Sequence, residues 1–164
     1  AEREEALLGI LTCAEELHHD DLIIQTASQL LSEGASPALT DKALYLRGTA
    51  YMRLQAYEKA ITDLQPLAQN TLTAQGAEAQ YCIAEAYFNL GNLDAAEAEI
   101  ISFTQQKTQQ QYWLAKALIL LSDIYRQRGD DFQAQQYLLS LQNNYKLTDD
   151  DILTIVAAKL AQIE

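Results

Sequence analysis

Proline and glycine are scarce in this chain, with two prolines and six glycines in 164 residues. So few helix breakers, beside abundant Ala, Leu, Gln and Glu and no Gly-punctuated run of β-branched residues, leave little room for a sheet and read as all-α. Cysteine is equally rare. Cys13 and Cys82 fall in no CxxC or CxxH spacing, so the sequence supports neither a zinc site nor a redox pair and predicts two buried free thiols. Basic residues number 11 against 23 acidic ones, for a formal net charge of −12. A surface of that sign repels phosphates and anionic lipid, which excludes nucleic acid as a partner. The longest apolar run, Ala117–Leu121, is far below the ~20 residues that span a bilayer, so no direct membrane insertion of this segment is expected. The chain starts at Ala1 with neither methionine nor a charged-then-apolar leader, and reads as a mature form or a piece of something longer.

What the chain does have is an apolar fraction of 49%. At this length folding buries roughly 70% of the unfolded surface, so a core forms without disulfides or metal. One domain, residues 1–164, is expected.

An internal repeat organises that domain. The segments Tyr51–Ala60 and Tyr87–Ala96 match 36 residues apart, each with a leading aromatic, a central Leu and a closing Ala. A third copy runs from Tyr125 through Gly129 to Ala134, at an offset of 38. A degenerate copy at the N-terminus, offset by 37, carries Ile10, Leu11, Ala14, Leu17, Ile23, Ala27 and Leu30. Within each copy two stretches of helical periodicity flank a short polar turn, so the unit is a helical hairpin. The periodicity predicts helices over 3–17 and 21–33, 39–54 and 57–69, 76–90 and 93–106, and 111–128 and 132–144. The units run over about 4–36, 41–74, 77–110 and 115–147. A last helix, 148–163, has Thr148 as N-cap and Asp151 three residues on, and covers the apolar edge that the last hairpin would expose.

A small residue at the eighth place of the unit, an aromatic at the eleventh, Ala at the twentieth and apolar residues at the twenty-fourth and twenty-seventh resemble the tetratricopeptide repeat. The second unit carries this as Gly48, Tyr51, Ala60, Leu64 and Leu67; the third as Ala84, Tyr87, Ala96, Ile100 and Phe103; the fourth as Ser122, Tyr125, Ala134, Leu138 and Leu141. The period exceeds the family's usual ~34 residues and the unit ends lack proline. The resemblance implies a right-handed α-solenoid of four hairpins plus a capping helix, with Tyr51, Tyr87 and Tyr125 as core fillers. The stretch from Gln111 to Ala134 also looks like the C-terminal part of Gram-negative cell-envelope proteins of this family, which implies a periplasmic or outer-membrane-associated location.

No constellation supports catalysis or a metal. His18–His19–Asp20–Asp21 is the one cluster with metal-capable side chains, but adjacent residues at a turn point apart and no second cluster stands at ligand spacing. Asp149–Asp150–Asp151 lacks the alternating ligands, central Gly and closing Glu of a calcium loop, so helix capping is its expected role. No nucleophile–base set and no Gly-rich phosphate loop is evident. The chain is therefore expected to be no enzyme and to need no cofactor.

In the resembled family the concave face is built by the second, fifth, ninth, twelfth and thirteenth places of each first helix. Its fifth and twelfth places map to Leu8 and Glu15, Tyr45 and Met52, Tyr81 and Phe88, and Ile119 and Arg126; the ninth maps to Thr12, Thr49, Glu85 and Asp123. Tyr45, Met52, Tyr81 and Phe88 form an apolar stripe suited to a partner peptide or helix, or else filled by adjoining helices or by a missing N-terminal segment of the parent chain. The family's carboxylate clamp needs Lys and Asn where Tyr45, Tyr81, Thr49 and Glu85 stand, so that activity is not implied. The expectation is a non-enzymatic protein-interaction scaffold in a bacterial envelope assembly; the alternative is a regulatory or substrate-docking domain of a larger enzyme.

Overall fold

The computed structural model describes residues 2–163; Ala1 and Glu164, the ends of the expected domain, lie outside them. Among the described residues there are nine α-helices and one 3₁₀ turn, with no strand. The helices are α1 (Glu2–Glu16), α2 (Asp20–Ser32), α3 (Pro37–Arg53), α4 (Tyr57–Leu64), α5 (Ala74–Asn89), α6 (Leu93–Gln105), α7 (Gln111–Gln127), α8 (Asp131–Asn144) and α9 (Ile152–Ala161). They pair as four hairpins, α1/α2 to α7/α8, with α9 following. The chain is a helical solenoid of hairpins.

One turn is used four times. Each first helix ends on a residue of positive φ: His18 at 51°, Gln55 at 60°, Gly91 at 81° and Gly129 at 82°. Each turn then closes with the same pair of backbone hydrogen bonds. In the third unit the Asn92 amide donates to the Tyr87 carbonyl at 2.9 Å and Gly91 to Phe88 at 3.0 Å; in the second, Ala56 donates to Tyr51 at 2.8 Å and Gln55 to Met52 at 3.1 Å. This Schellman pattern satisfies the orphan carbonyls of the first helix and turns the chain back on itself. The next helix is capped by a side chain in three of the four cases: His19 Nδ1, Asn92 and Asp130 accept from Leu22, Ala95 and Gln133.

Small residues set how closely the helices approach. In the last three units the eighth place holds Gly48, Ala84 and Ser122 and the twentieth Ala60, Ala96 and Ala134, all buried, whereas the first unit buries the larger Leu11 and Ile23 at these places. At Gly48 an added Cβ would lie 2.7 Å from the Leu64 side chain, so the glycine lets α3 and α4 touch. Successive first helices also pack on one another, α3 on α5, α5 on α7 and α7 on α9, whereas the second helices α4, α6 and α8 each pack between two first helices. The tighter row lies on the inside of the curve, so the first helices line the concave face.

Polar loops bind neighbouring units. Thr71, buried between α4 and α5, donates its hydroxyl to Gln106 Oε1 at 2.5 Å, and Thr108 donates to the Thr71 carbonyl at 2.6 Å. Gln110 Nε2 donates to the Leu72 carbonyl at 3.1 Å. The loop lies so close on α5 that a Cβ at Gly76 would sit 1.8 Å from the Asn70 carbonyl oxygen.

Three expectations need correction. The helix expected over 57–69 is α4 to Leu64 and then a 3₁₀ turn, Leu67–Gln69, because Pro66 has no amide to donate and its ring disfavours helical continuation. The helix expected over 148–163 runs only from Ile152 to Ala161, and Thr148 is not its cap. Asp150 Oδ1 instead accepts from the Ile152 amide at 3.0 Å, while Asp150 Oδ2 takes the Tyr145 hydroxyl at 2.6 Å, which holds the preceding residues out of the helix. Cys13 is exposed and Cys82 half-buried, not both buried, since Cys13 lies one residue off the inward face Leu7–Leu11–Ala14.

Candidate functional site

The four residues of the expected stripe stand on α3 and α5, and all four are half-buried. Tyr45 and Met52 lie seven residues apart on one face of α3 and pack against Ala60, Leu64, Ala79 and Ile83. Tyr81 and Phe88 hold the same two places on α5 and pack against Ala84, Ala117, Leu121 and Ile124. Each pair therefore presents one side to the core and one to the concave face.

Polar neighbours fix the rings. The Tyr45 hydroxyl donates to Glu78 Oε2 at 2.6 Å, linking α3 to α5. Burial, and then that hydrogen bond to a carboxylate, raise the Tyr45 phenol well above its usual range. Burial and the Glu85 carboxylate do the same at Tyr81. The Tyr81 ring lies 5.7 Å from Trp113 and carries the Lys116 ammonium 5.5 Å from its centroid. Tyr112 meets Trp113 edge-on at 4.9 Å. Cys82 shares this region, and burial followed by the charges of Glu78 and Glu85 pushes its thiol up, away from nucleophilic reactivity.

Sequence mapping by the fifth and twelfth places did not single out Glu78, Trp113 and Lys116. Helical spacing points to Glu78, which stands three residues before Tyr81 as Glu85 stands four after it, all on one face. Trp113 and Lys116 come from the next unit, and only the packing of α5 on α7 brings them to the ring.

The fourth unit differs. Ile119, at the fifth place, is 5% exposed and is packed with Ile152, Val156 and Leu160 of α9. Lys159 of α9 clamps both oxygens of Asp123, at 2.8 and 3.0 Å, and Arg126 donates to Gln162 at 3.1 Å. Beside this junction lies a cavity of about 390 Å³ lined by Phe88, Asp123, Arg126, Gln127, Asp131 and Lys159. The open apolar part of the concave face is thus the stretch from α3 to α5.

The residues considered for metal binding are engaged otherwise. His19 Nδ1 caps α2, and Asp20 accepts from Arg53 at 2.7 Å. At the clamp places, Thr49 donates back to the Tyr45 carbonyl of its own helix at 2.9 Å.

Hairpins of this kind, stacked with their first helices inside, define a helical-repeat protein. Residues 41–65, covering most of α3, its turn and α4, match the family model of the tetratricopeptide repeat, so the second unit is similar to a tetratricopeptide repeat. A comparison with curated proteins finds no match. Tetratricopeptide repeats generally mediate protein–protein interaction and are typically non-enzymatic. Among the described residues no helix is long and apolar enough to cross a membrane.

Proposed function

We propose that this chain is a non-enzymatic scaffold that holds a peptide or helix of a partner protein on its concave face, at Tyr45, Met52, Tyr81 and Phe88, within a bacterial envelope assembly. The observation that carries the binding site is the half-buried stripe itself: four large apolar side chains on adjacent first helices, at a point where α9 does not cover the row. Rigid aromatic groups give wide contact with little rotamer freedom to lose, which makes them strong anchors. The periplasmic or outer-membrane-associated location rests on the likeness of residues 111–134 to envelope proteins of this family.

The test is capture of partners from envelope extract by the wild-type chain and by Tyr81→Ala/Phe88→Ala. A specific partner should lose more than ~1 kcal/mol of affinity per anchor, read by titration calorimetry. Unchanged binding in the double variant places the interface elsewhere. Fractionation of cells producing the full-length protein tests the location, and recovery in the cytoplasm would overturn it.

A further inference from the structure

The charges around the stripe say what kind of segment fits it. All five arginines are committed to carboxylates of the chain: Arg3 to Glu33, Arg47 to Asp63, Arg53 to Asp20, Arg126 to Asp131, and Arg128 to Asp94 and Glu97. Lys159 is committed to Asp123. At the concave places of α1 and α5, by contrast, Glu5, Glu15, Glu16, Glu78 and Glu85 have no ion-pair partner among the described residues. The cations at the same places outside ion pairs are Lys42 on α3 and Lys116 on α7, and Lys116 lies over the Tyr81 ring. Five carboxylates against two ammonium groups leave the rim negative. Glu78 lies against Tyr45 where α3 meets α5, Glu85 stands one turn after Tyr81 on the same helix, and Glu15 stands on α1 in the unit before. Glu78 spends Oε2 on Tyr45, and Oε1 is left for a further donor.

Resting on the proposed concave binding site, we infer that the occupant is a basic amphipathic segment of a partner protein, its apolar side chains on the Tyr45–Met52–Tyr81–Phe88 stripe and its lysines or arginines on Glu15, Glu78 and Glu85. The apolar floor sets where the segment lies. The carboxylates decide its sign, because an acidic segment would meet like charge along the stripe and a neutral one would leave these carboxylates without counter-charge. Glu78 and Glu85, half-buried beside an apolar floor, also feel an incoming cation more strongly than freely solvated carboxylates such as the exposed Glu15 do.

Three synthetic amphipathic peptides test this, sharing one leucine-and-phenylalanine face and carrying lysine, glutamine or glutamate on the other. Their binding is read by fluorescence anisotropy at low and at physiological salt, with circular dichroism confirming that each variant folds. The lysine peptide should bind roughly tenfold or more tightly than the glutamine peptide and weaken with salt. Glu15→Gln/Glu85→Gln should remove most of that preference. Asp21→Asn/Glu58→Gln, the same change of charge on α2 and α4, should leave it in place. Equal loss in both double variants would mean that the net charge of the chain attracts the peptide, and would overturn the inference. If all three peptides bind alike and Tyr81→Ala/Phe88→Ala abolishes them all, the stripe stands as a binding site and the selection for basic partners is wrong. If the glutamate peptide binds best, the sign is wrong. If none binds, this inference and the concave binding site fall together.

Discussion

Arg47 holds Asp63 by two parallel hydrogen bonds, Nε to Oδ2 and Nη2 to Oδ1, each 2.7 Å long, and the carboxylate side chain is only 5% exposed. A third bond, from Arg47 Nη1 to Ser28 Oγ at 3.0 Å, reaches α2, so one guanidinium joins three helices and two units. Removing one partner strands a nearly buried charge. Arg47→Met, which leaves the Asp63 carboxylate without its partner, should therefore cost about 3–5 kcal/mol in urea unfolding, whereas replacing both partners, as Arg47→Met/Asp63→Leu, should cost far less. Equal losses in the single and double variants would show that packing, not charge, decides the site.

The glycines should separate into three responses to alanine. Gly9 lies in α1 with nothing within 4 Å of an added Cβ, so Gly9→Ala should stabilise by roughly 0.5–1 kcal/mol. Gly91, at φ 81°, should lose about 1–2 kcal/mol because the left-handed turn opposes a side chain. Gly76→Ala should be the worst, since its Cβ would meet backbone that cannot swing aside. Calorimetric melting temperatures in any other order would contradict these placements.

Truncation after Tyr145 removes Ile152, Val156 and Leu160, all 9% exposed or less, and uncovers Ala115, Ile119, Leu138 and Leu141. The shortened chain should melt lower and self-associate, measured by calorimetry and analytical ultracentrifugation. A monomer with an unchanged melting temperature would remove the capping role from α9.

Glu99 gives a pH signature. Burial holds its carboxyl above the ordinary range, against the opposing hydrogen bond donated by Gln80. The folded chain thus binds this proton more tightly than the unfolded chain does. Its contribution to stability is greatest below the ordinary glutamate pKa and is lost as pH rises through the raised value. Glu99→Gln should accordingly raise the melting temperature near neutral pH and converge with wild type in acid. A constant difference at both pH values would mean that the charge of Glu99 is not the cause.

Repeat spacing made the hairpins legible, because the buried positions recur in the sequence as Gly48, Ala84 and Ser122, and as Ala60, Ala96 and Ala134. The turn at 55–56 was legible too, although Gln55 rather than glycine takes its left-handed position. What periodicity does not carry is interruption and contact across units. Pro66 overrides an apolar pattern that continues through Leu67, and the Asp150 side chain overrides Thr148 as the start of α9. At the candidate site, Tyr45, Met52, Tyr81 and Phe88 follow from register alone. Their polar surroundings do not, since Glu78 reaches Tyr45 and Lys116 reaches Tyr81 from other helices.

The interlocked loops of Thr71, Thr108 and Gln110 divide the stack mechanically. They rivet the middle and C-terminal hairpins into a single cooperative block, whereas α1 makes its main contact with α2 and leaves Ile10 and Leu17 exposed. Heat or tension should consequently fray the chain from one side, with α1 exchanging its amide hydrogens first and the riveted block last. A partner gripping both Glu15 and Glu85 would bridge that boundary, so its arrival would register as slowed exchange in α1, at a distance from the aromatic anchors themselves.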